Sequence, residues 1–239
     1  MVFEVKSGAV FVADAHANVN KQEFKNWLLF VSKNHPNFSQ IFFMGDMFDF
    51  LANTTYTQKF YAYEISLINE LSKIYEIYYF EGNHDFNLTE IFPNVKVFSI
   101  KNQPAIFSSE VGDISLSHGD KFIPFFSGVF IRFLRNKPFL KFMDTIDKAM
   151  NFKISKLILK SQEDKTLYKK HPNFKSLIGK KISKYSTKFI IEGHYHQDEI
   201  LEFNQKKYIN LNSFAVNPKV YIVKFLNDTV MFTKFKGDM

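Results

Sequence analysis

The chain has no cysteine, which excludes a disulfide framework and any thiolate site and fits the cytosol. It also lacks long apolar runs. No stretch approaches the ~20 uninterrupted apolar residues that a helical membrane span requires. Met1–Lys6 lacks the charged and apolar regions of a secretory signal, so a soluble or membrane-peripheral protein is expected. There is no internal repeat or low-complexity tract, so a solenoid or a disordered linker is not the reading. What is present is ordinary in amount: 46% hydrophobic and 23% charged residues, enough in 239 residues for one sizeable core with room for one insertion. The 30 phenylalanines are more than a core of this size demands, and a lipid-facing surplus would use them.

Acidic residues are scarce in one place only. The net charge is +7, but Asp120–Ser186 holds 16 Lys+Arg against 5 Asp+Glu, leaving 15 against 19 for everything else. The basic character belongs to that segment. Within it, Phe122–Leu134 is strongly apolar but broken by Pro124, Ser127, Gly128 and Arg132. A helical pattern follows Pro138, with Phe142, Ile146, Met150, Ile154, Leu157 and Ile158 predicted inward and Lys148, Lys153, Lys156 and Lys160 largely elsewhere. The segment reads as a helical cap over 121–186, inserted into a single domain spanning 1–239.

Outside it, short runs rich in Val, Ile, Phe and Tyr read as buried strands: Ala9–Ala13, Ile41–Met44, Ile77–Phe80, Ile114–Ser117 and Phe189–Ile191. Helical patterns at Gln22–Ser32 and Gln58–Lys73 lie between them. Strand and helix in alternation imply an α/β protein with its ligands at the carboxyl ends of strands. The tail differs. Tyr208–Leu211, Val220–Phe225 and Val230–Phe235 are strands without helices between them, and suggest a second sheet closing a sandwich.

Each of the five early runs ends in a ligand-bearing block: Asp14-Ala-His16, Gly45-Asp46-Met-Phe-Asp49, Gly82-Asn83-His84-Asp85, His118-Gly-Asp120 and Gly193-His194-Tyr-His196. Asp-x-His at a strand end would aim two ligands at one point, since alternate strand residues share a face. Asp46 offers a carboxylate able to bridge two cations, Asn83 an amide oxygen, and His118, His194 and His196 imidazoles. Oxygen and nitrogen without sulfur suit Mn, Fe or Zn. Two such cations ~3.5–4 Å apart activate water and stabilise an in-line displacement at phosphorus. Asp49 and Asp85 fit the task of orienting ligands or His84. His35 and His171 each open a His-Pro-Asn tripeptide and read as turns on the surface.

In this order the five blocks resemble the calcineurin-like metallophosphoesterases. The resemblance runs from Asp14 to His196. It implies a two-sheet β-sandwich flanked by helices, with one metal held by Asp14, His16, Asp46 and His196. A second metal would be held by Asp46, Asn83, His118 and His194, with Asp46 shared; His84 and Asp85 are the implied catalytic residues. Within the family the chain is most similar to the UDP-2,3-diacylglucosamine pyrophosphohydrolases of lipid A synthesis, through Gly45–Asp49, Phe86, overall length and the basic apolar insertion. That similarity implies two Mn ions, water attack at the α-phosphorus, and release of UMP and an acylated sugar 1-phosphate. It also implies a place at the cytoplasmic face of the inner membrane, with no protein partner. Phe86, Lys160, Lys165 and Lys169 are the expected substrate contacts.

His84 departs from that subgroup, which usually carries Arg there. A histidine can protonate an alkoxide leaving group, which suits a phosphodiesterase, phosphatase or nuclease acting on a soluble nucleotide or nucleic acid. The long apolar stretch argues against nucleic acid as the partner. A non-enzymatic scaffold would normally have degenerate ligand positions, and none is degenerate here.

Overall fold

The computed structural model describes residues 3–122 and 135–235. Its central strands are apolar on both faces, as strands covered from both sides must be. In β1 (Val10–Val12), β2 (Ile41–Phe43) and, beyond the short β3 (Leu51–Ala52), β4 (Ile77–Phe80), alternate residues feed two different cores. Val10, Val12, Ile41, Phe43, Ile77 and Tyr79 pack with helical residues. Phe11, Phe42, Tyr78 and Phe80 pack instead against Phe107, Leu116, Phe189 and Ile191 of a second sheet. The period of two thus writes both layers of a sandwich into the same short strands.

The helical layer is α1 (Glu23–Asn34), α2 (Thr55–Phe60) and α3 (Ala62–Leu71). Phe24, Trp27, Leu28 and Val31 of α1 are buried at helical spacing, as the pattern at Gln22–Ser32 predicts. The helix stops at His35, whose left-handed backbone (φ 44°) turns its N–H back onto Val31 O. Gln58–Lys73, expected as one helix, is two, hinged at Tyr61, whose hydroxyl reaches Ala17 O at 2.9 Å. Trp27→Ala would remove the largest fully buried side chain, at a cost of roughly 3–5 kcal/mol.

After β5 (Asp85–Phe86), β6 (Lys96–Phe98), β7 (Ala105–Phe107) and β8 (Ile114–Ser117) comes the insertion. Its described part holds α4 (Lys137–Ala149), α5 (Lys153–Glu163) and α6 (Phe174–Gly179). The chain then forms β9 (Phe189–Glu192), β10 (Glu199–Phe203), β11 (Lys206–Asn210), β12 (Val220–Leu226) and β13 (Thr229–Phe235). One sheet runs β13-β12-β1-β2-β4-β6, the other β10-β11-β9-β8-β7, and β3 pairs with β5 in a small ribbon. The three central strands of the first sheet are mutually parallel, as are β8 and β9 of the second, so all five ligand blocks follow carboxyl ends.

Two sequence expectations change. Of the tail strands only β11 lies in the second sheet; β12 and β13 extend the first, with β12 antiparallel to β1. The lack of helices between them marks a hairpin but does not say which edge it joins. The pattern beyond Pro138 is also not one helix. It breaks at Asn151 and Phe152, both left-handed (φ 52° and 60°), and the buried Asp147 carboxylate then caps α5 through the Ile154 and Ser155 N–H groups. The expected inward face splits: Ile146, Ile154 and Ile158 are half-buried, but Phe142 is 61% and Leu157 70% exposed, with Met150 also exposed, while Leu140 and Leu159 are buried. The apolar run beyond Phe122, through Leu134, lies outside the described residues.

Candidate metal centre

The ligand blocks do not remain extended. Asp14, His16, Asp46, His194 and His196 all have left-handed backbones, with φ between 43° and 65°. Asp14 and His16 therefore share a site through two tight bends rather than through the pleat of β1. Such residues cost on the order of 1–3 kcal/mol each and persist only where the surroundings hold them. Here the bends are pinned. Asp14 N–H donates to Gly45 O at 3.0 Å, His16 N–H to Asp46 O at 2.9 Å, and His194 N–H to the Asp14 carboxylate at 3.0 Å. Gly45 and Gly82 are required by close approach: a Cβ on the first would collide with the His118 ring, and on the second with Asp46 Oδ1.

Two clusters result, Asp14–His16–His196 and Asp46–His118–His194, each with its ligand atoms within 4.8 Å of one another. His196 Nε2 lies 3.1 Å from Asp14 Oδ1, and His118 Nε2 lies 3.3 Å from Asp46 Oδ2. The clusters adjoin, since the His16 ring centre is 5.5 Å from that of His196 and 4.9 Å from that of His84. Backbone carbonyls fix the tautomers, because a carbonyl only accepts. His118 Nδ1–H donates to Met44 O at 2.9 Å and His196 Nδ1–H to Leu167 O at 2.5 Å, leaving both Nε2 lone pairs directed at the clusters. His16 Nδ1 sits 3.2 Å from Asp49 Oδ1. Asp49 in turn accepts from Asn18.

The residues fit divalent cations on three observations. His16 Nε2 and Asn83 Oδ1 are buried polar atoms without a hydrogen-bond partner. His194 Nδ1 and His118 Nε2 face each other at 3.2 Å, an arrangement that brings two lone pairs together unless a cation or proton intervenes. The electrostatics agree. Burial opposes ionisation of Asp46, yet His118 and His84 hold its carboxyl well below the usual carboxylate range. Burial likewise opposes charge on His118, but Asp46 raises its pKa well above the imidazole range. His194 is pushed down to about 3 by burial and by His118. The imidazoles thus divide: the carboxylates beside His118 and His196 favour their charged forms, while burial disfavours charge on His16 and His194.

The remaining expected residues divide. His84 is half-buried beside the centre; its N–H donates to Asp46 Oδ1 at 2.8 Å, and its Nδ1–H to Asp49 O at 2.7 Å, leaving Nε2 as the free proton site. Asp85 is buried and has no hydrogen bond to the His84 ring. Its carboxylate accepts from Asp46 N–H, Met47 N–H, Gly82 N–H and the Tyr79 hydroxyl, so it shapes the loops that present Asp46 and Asn83. Phe86, expected against substrate, is 2% exposed and packs on Ala52 and Leu140 under α4. The ring-and-strand pairing with Leu51–Ala52 turns it inward. Lys160 is exposed on α5, and exposed Lys165 meets Gln162 at 3.3 Å; neither is among the described residues lining the cavity beside His194 and His196. Lys169 does, together with His194 and His196. His171, assigned to a surface turn, is exposed but lines the same cavity.

Sequence reading missed Arg135, Lys181 and Glu192. Arg135 bonds Gly82 O and the buried Asp120 carboxylate, the latter at 3.3 Å, which ties the start of the insertion to two ligand loops. Glu192 accepts from Ser117 Oγ (2.6 Å), Lys181 Nζ (2.6 Å), Tyr208 OH (2.7 Å) and Tyr185 OH. The acid one residue before Gly193, inside an otherwise apolar strand, was the available signal.

Residues 9–198 match the family model of calcineurin-like phosphoesterases. No curated protein sequence matches the chain. Among solved structures, the chain is similar to an archaeal phosphodiesterase at 12% identity, covering 95% of this chain and 99% of that one with a TM-score of 0.47. A predicted phosphoesterase from Streptococcus pneumoniae is 12% identical over 91% of this chain and 82% of that one, with a TM-score of 0.42. Zinc-complexed Vps29 from Entamoeba histolytica is 12% identical over 95% and 97%, with a TM-score of 0.41. With the family model covering the whole span from β1 past His196, the chain belongs to the calcineurin-like phosphoesterases, and its chemistry is metal-dependent hydrolysis of phosphoric esters.

Proposed function

We propose that the enzyme cleaves the pyrophosphate of UDP-2,3-diacylglucosamine. Water adds to the α-phosphorus, the bridging P–O bond breaks, and UMP and 2,3-diacylglucosamine 1-phosphate leave. The observation that carries the reaction class is the pair of adjoining clusters with orphaned His16 Nε2 and Asn83 Oδ1. Asp14, His16, Asp46 and His196 would hold one cation, and Asp46, Asn83, His118 and His194 the other, with Mn the first candidate. Two bound cations supply Lewis acidity toward the phosphoryl oxygens and lower the pKa of water. The chain itself supplies the rest. Asp49 and the Met44 and Leu167 carbonyls orient the imidazoles. Asp85 fixes the loops, and His84 Nε2 can carry a proton to a leaving oxygen.

The substrate rests on two supports. The first is the likeness of the five blocks and the insertion to that subgroup. The second is the exposed apolar set Phe142, Met150 and Leu157 among lysines on α4 and α5, a surface suited to acyl chains at a membrane face. Among the described residues no helix is long and apolar enough to cross a membrane, so this role would be peripheral, at the cytoplasmic face of the inner membrane.

His84 favours a second reading. Held through Nδ1 with Nε2 free, it suits protonation of an alkoxide, as hydrolysis of a soluble nucleotide phosphodiester requires, whereas a sugar phosphate is a good leaving group without help. UMP release from UDP-2,3-diacylglucosamine in detergent with Mn, beside a generic aryl phosphodiester, separates the two. Fast turnover that collapses when the acyl chains are removed supports the lipid substrate. Turnover of the aryl diester alone discards it.

A further inference from the structure

A cleft of about 540 Å³ adjoins the ligand clusters, with His194 and His196 in its wall. It is walled by the end of the insertion, and its charge is one-sided. Lys169, Lys180, Lys181 and Lys184 line it, and none of its described lining residues is acidic. Lys181 is not free to bind: it is 5% exposed and spent on Glu192 at 2.6 Å. Its position does matter. Its ammonium stands 4.7 Å from the Tyr195 ring centre and 3.3 Å from Gly119 O, so it fixes the cleft floor to the loops carrying His118 and His194. Lys169, Lys180 and Lys184 are exposed, and none of them has an ion-pair partner among the described residues. Lys184 Nζ lies 4.7 Å from the Phe122 ring centre, a cation–π contact that holds the ammonium at the cleft wall.

We propose that this cleft is a phosphate subsite. Lys169, Lys180 and Lys184 would receive a second phosphate joined to the one being cleaved, making the enzyme selective for phosphoanhydride substrates over simple diesters. Three exposed ammonium groups beside the centre suit a compact polyanion, because lysine binds phosphate as a point charge without the fixed fork of arginine. The cleft opens on His194 and His196 themselves, so an anion seated there would neighbour one held at the ligand clusters. The inference deepens the proposed pyrophosphate hydrolysis and rests on it for its biological meaning, but it is tested by binding.

The probes are α,β-methylene-ADP, which carries two phosphates and no hydrolysable bridge, and the adenosine 5′-phosphonate, which carries one. Both are titrated into the Mn-loaded protein by calorimetry. The wild type is expected to prefer the two-phosphate probe by roughly tenfold or more, as charge-assisted contacts of this kind imply. The Lys169→Ala/Lys180→Ala/Lys184→Ala variant should bind the two probes alike, and arginine at the same three positions should retain the preference. Circular dichroism and the melting midpoint establish that each variant is folded; if the alanine variant does not fold, the three single variants are titrated and each should narrow the preference. A wild type without preference, or alanine variants that keep it, would overturn the subsite. Failure of the wild type to hydrolyse any aryl diester would instead overturn the hydrolase reading, leaving the binding comparison to decide the cleft by itself.

Discussion

The loops at the sheet edge and the insertion that faces them are built on opposite plans. In the loops, Asp14, His16, Asp46 and His118 are buried, several are held in left-handed bends, and nearly every polar atom that is not aimed at the centre has a backbone partner. In the insertion, lysines and large apolar side chains are exposed together, and polar anchors tie the segment to the body: Arg135 on Gly82 and Asp120, Asp144 on Thr55, and Lys181 on Glu192. The first arrangement suits chemistry, which tolerates little displacement of a ligand. The second suits recognition, where surface side chains adapt to what arrives. Reaction and specificity are thereby placed on different segments of one chain.

The comparison predicts effects of very different size. Asp46→Ala removes a carboxylate of the Asp46–His118–His194 cluster, the one proposed to be shared with the first cation, and hydrolysis of an aryl phosphodiester should fall by on the order of 10³-fold or more. An Asp46 variant retaining a tenth of the activity would break the account of the loops. His84→Ala should lower kcat by roughly 10²-fold on a diester with an alkyl alcohol leaving group but far less on a p-nitrophenyl ester, which needs no proton. An equal loss on both would mean that His84 positions the loop rather than transferring a proton. Glu192→Gln leaves Lys181 buried with a neutral partner and should lower stability by about 3 kcal/mol in urea denaturation. Little change would mean the insertion is anchored elsewhere.

Smaller still is the effect expected from replacing Phe142, Met150 and Leu157 together with serine. These exposed residues should contribute within about ±0.5 kcal/mol each to stability, while KM for the acylated substrate rises and KM for the aryl diester does not. The slightest effect concerns Glu76, remote from both regions. Burial opposes its ionisation, but Gln40, Lys96 and Tyr78 donate to the carboxylate and bring its pKa down to about 2. With the folded value below the unfolded one, its contribution is present above about pH 4.5 and fades as pH falls toward 2. Glu76→Gln should therefore lower the melting midpoint slightly at pH 7 and by less at pH 2.5.

What the sequence disclosed follows the same division. Strands that must be apolar on both faces, and ligand types placed immediately after them, leave a local trace, so β1, β2, β4, β8 and β9 and their five blocks were legible. The bends at Asp14 and His16 were not, because hydrogen bonds from Gly45 and Asp46, distant in sequence, hold them. The partners of α4 and α5 were illegible for a similar reason. A hydrophobic stripe predicts a buried face only if the helix is continuous, and Asn151–Phe152 breaks it through a cap supplied by Asp147. Phe86 and Lys169 show the limit for single residues. One looked like a contact and is core; the other was one lysine among many, and bonds of His196 to Leu167 O and of Gln197 to Lys169 O bring its neighbourhood to the centre.

The most direct test is the number of metal ions bound. Elemental analysis of protein dialysed against Mn, performed on the wild type and on Asp46→Ala, should give two ions per wild-type chain and a loss from both clusters in the variant. One ion per wild-type chain, or two retained without Asp46, would contradict a dinuclear centre joined through that carboxylate.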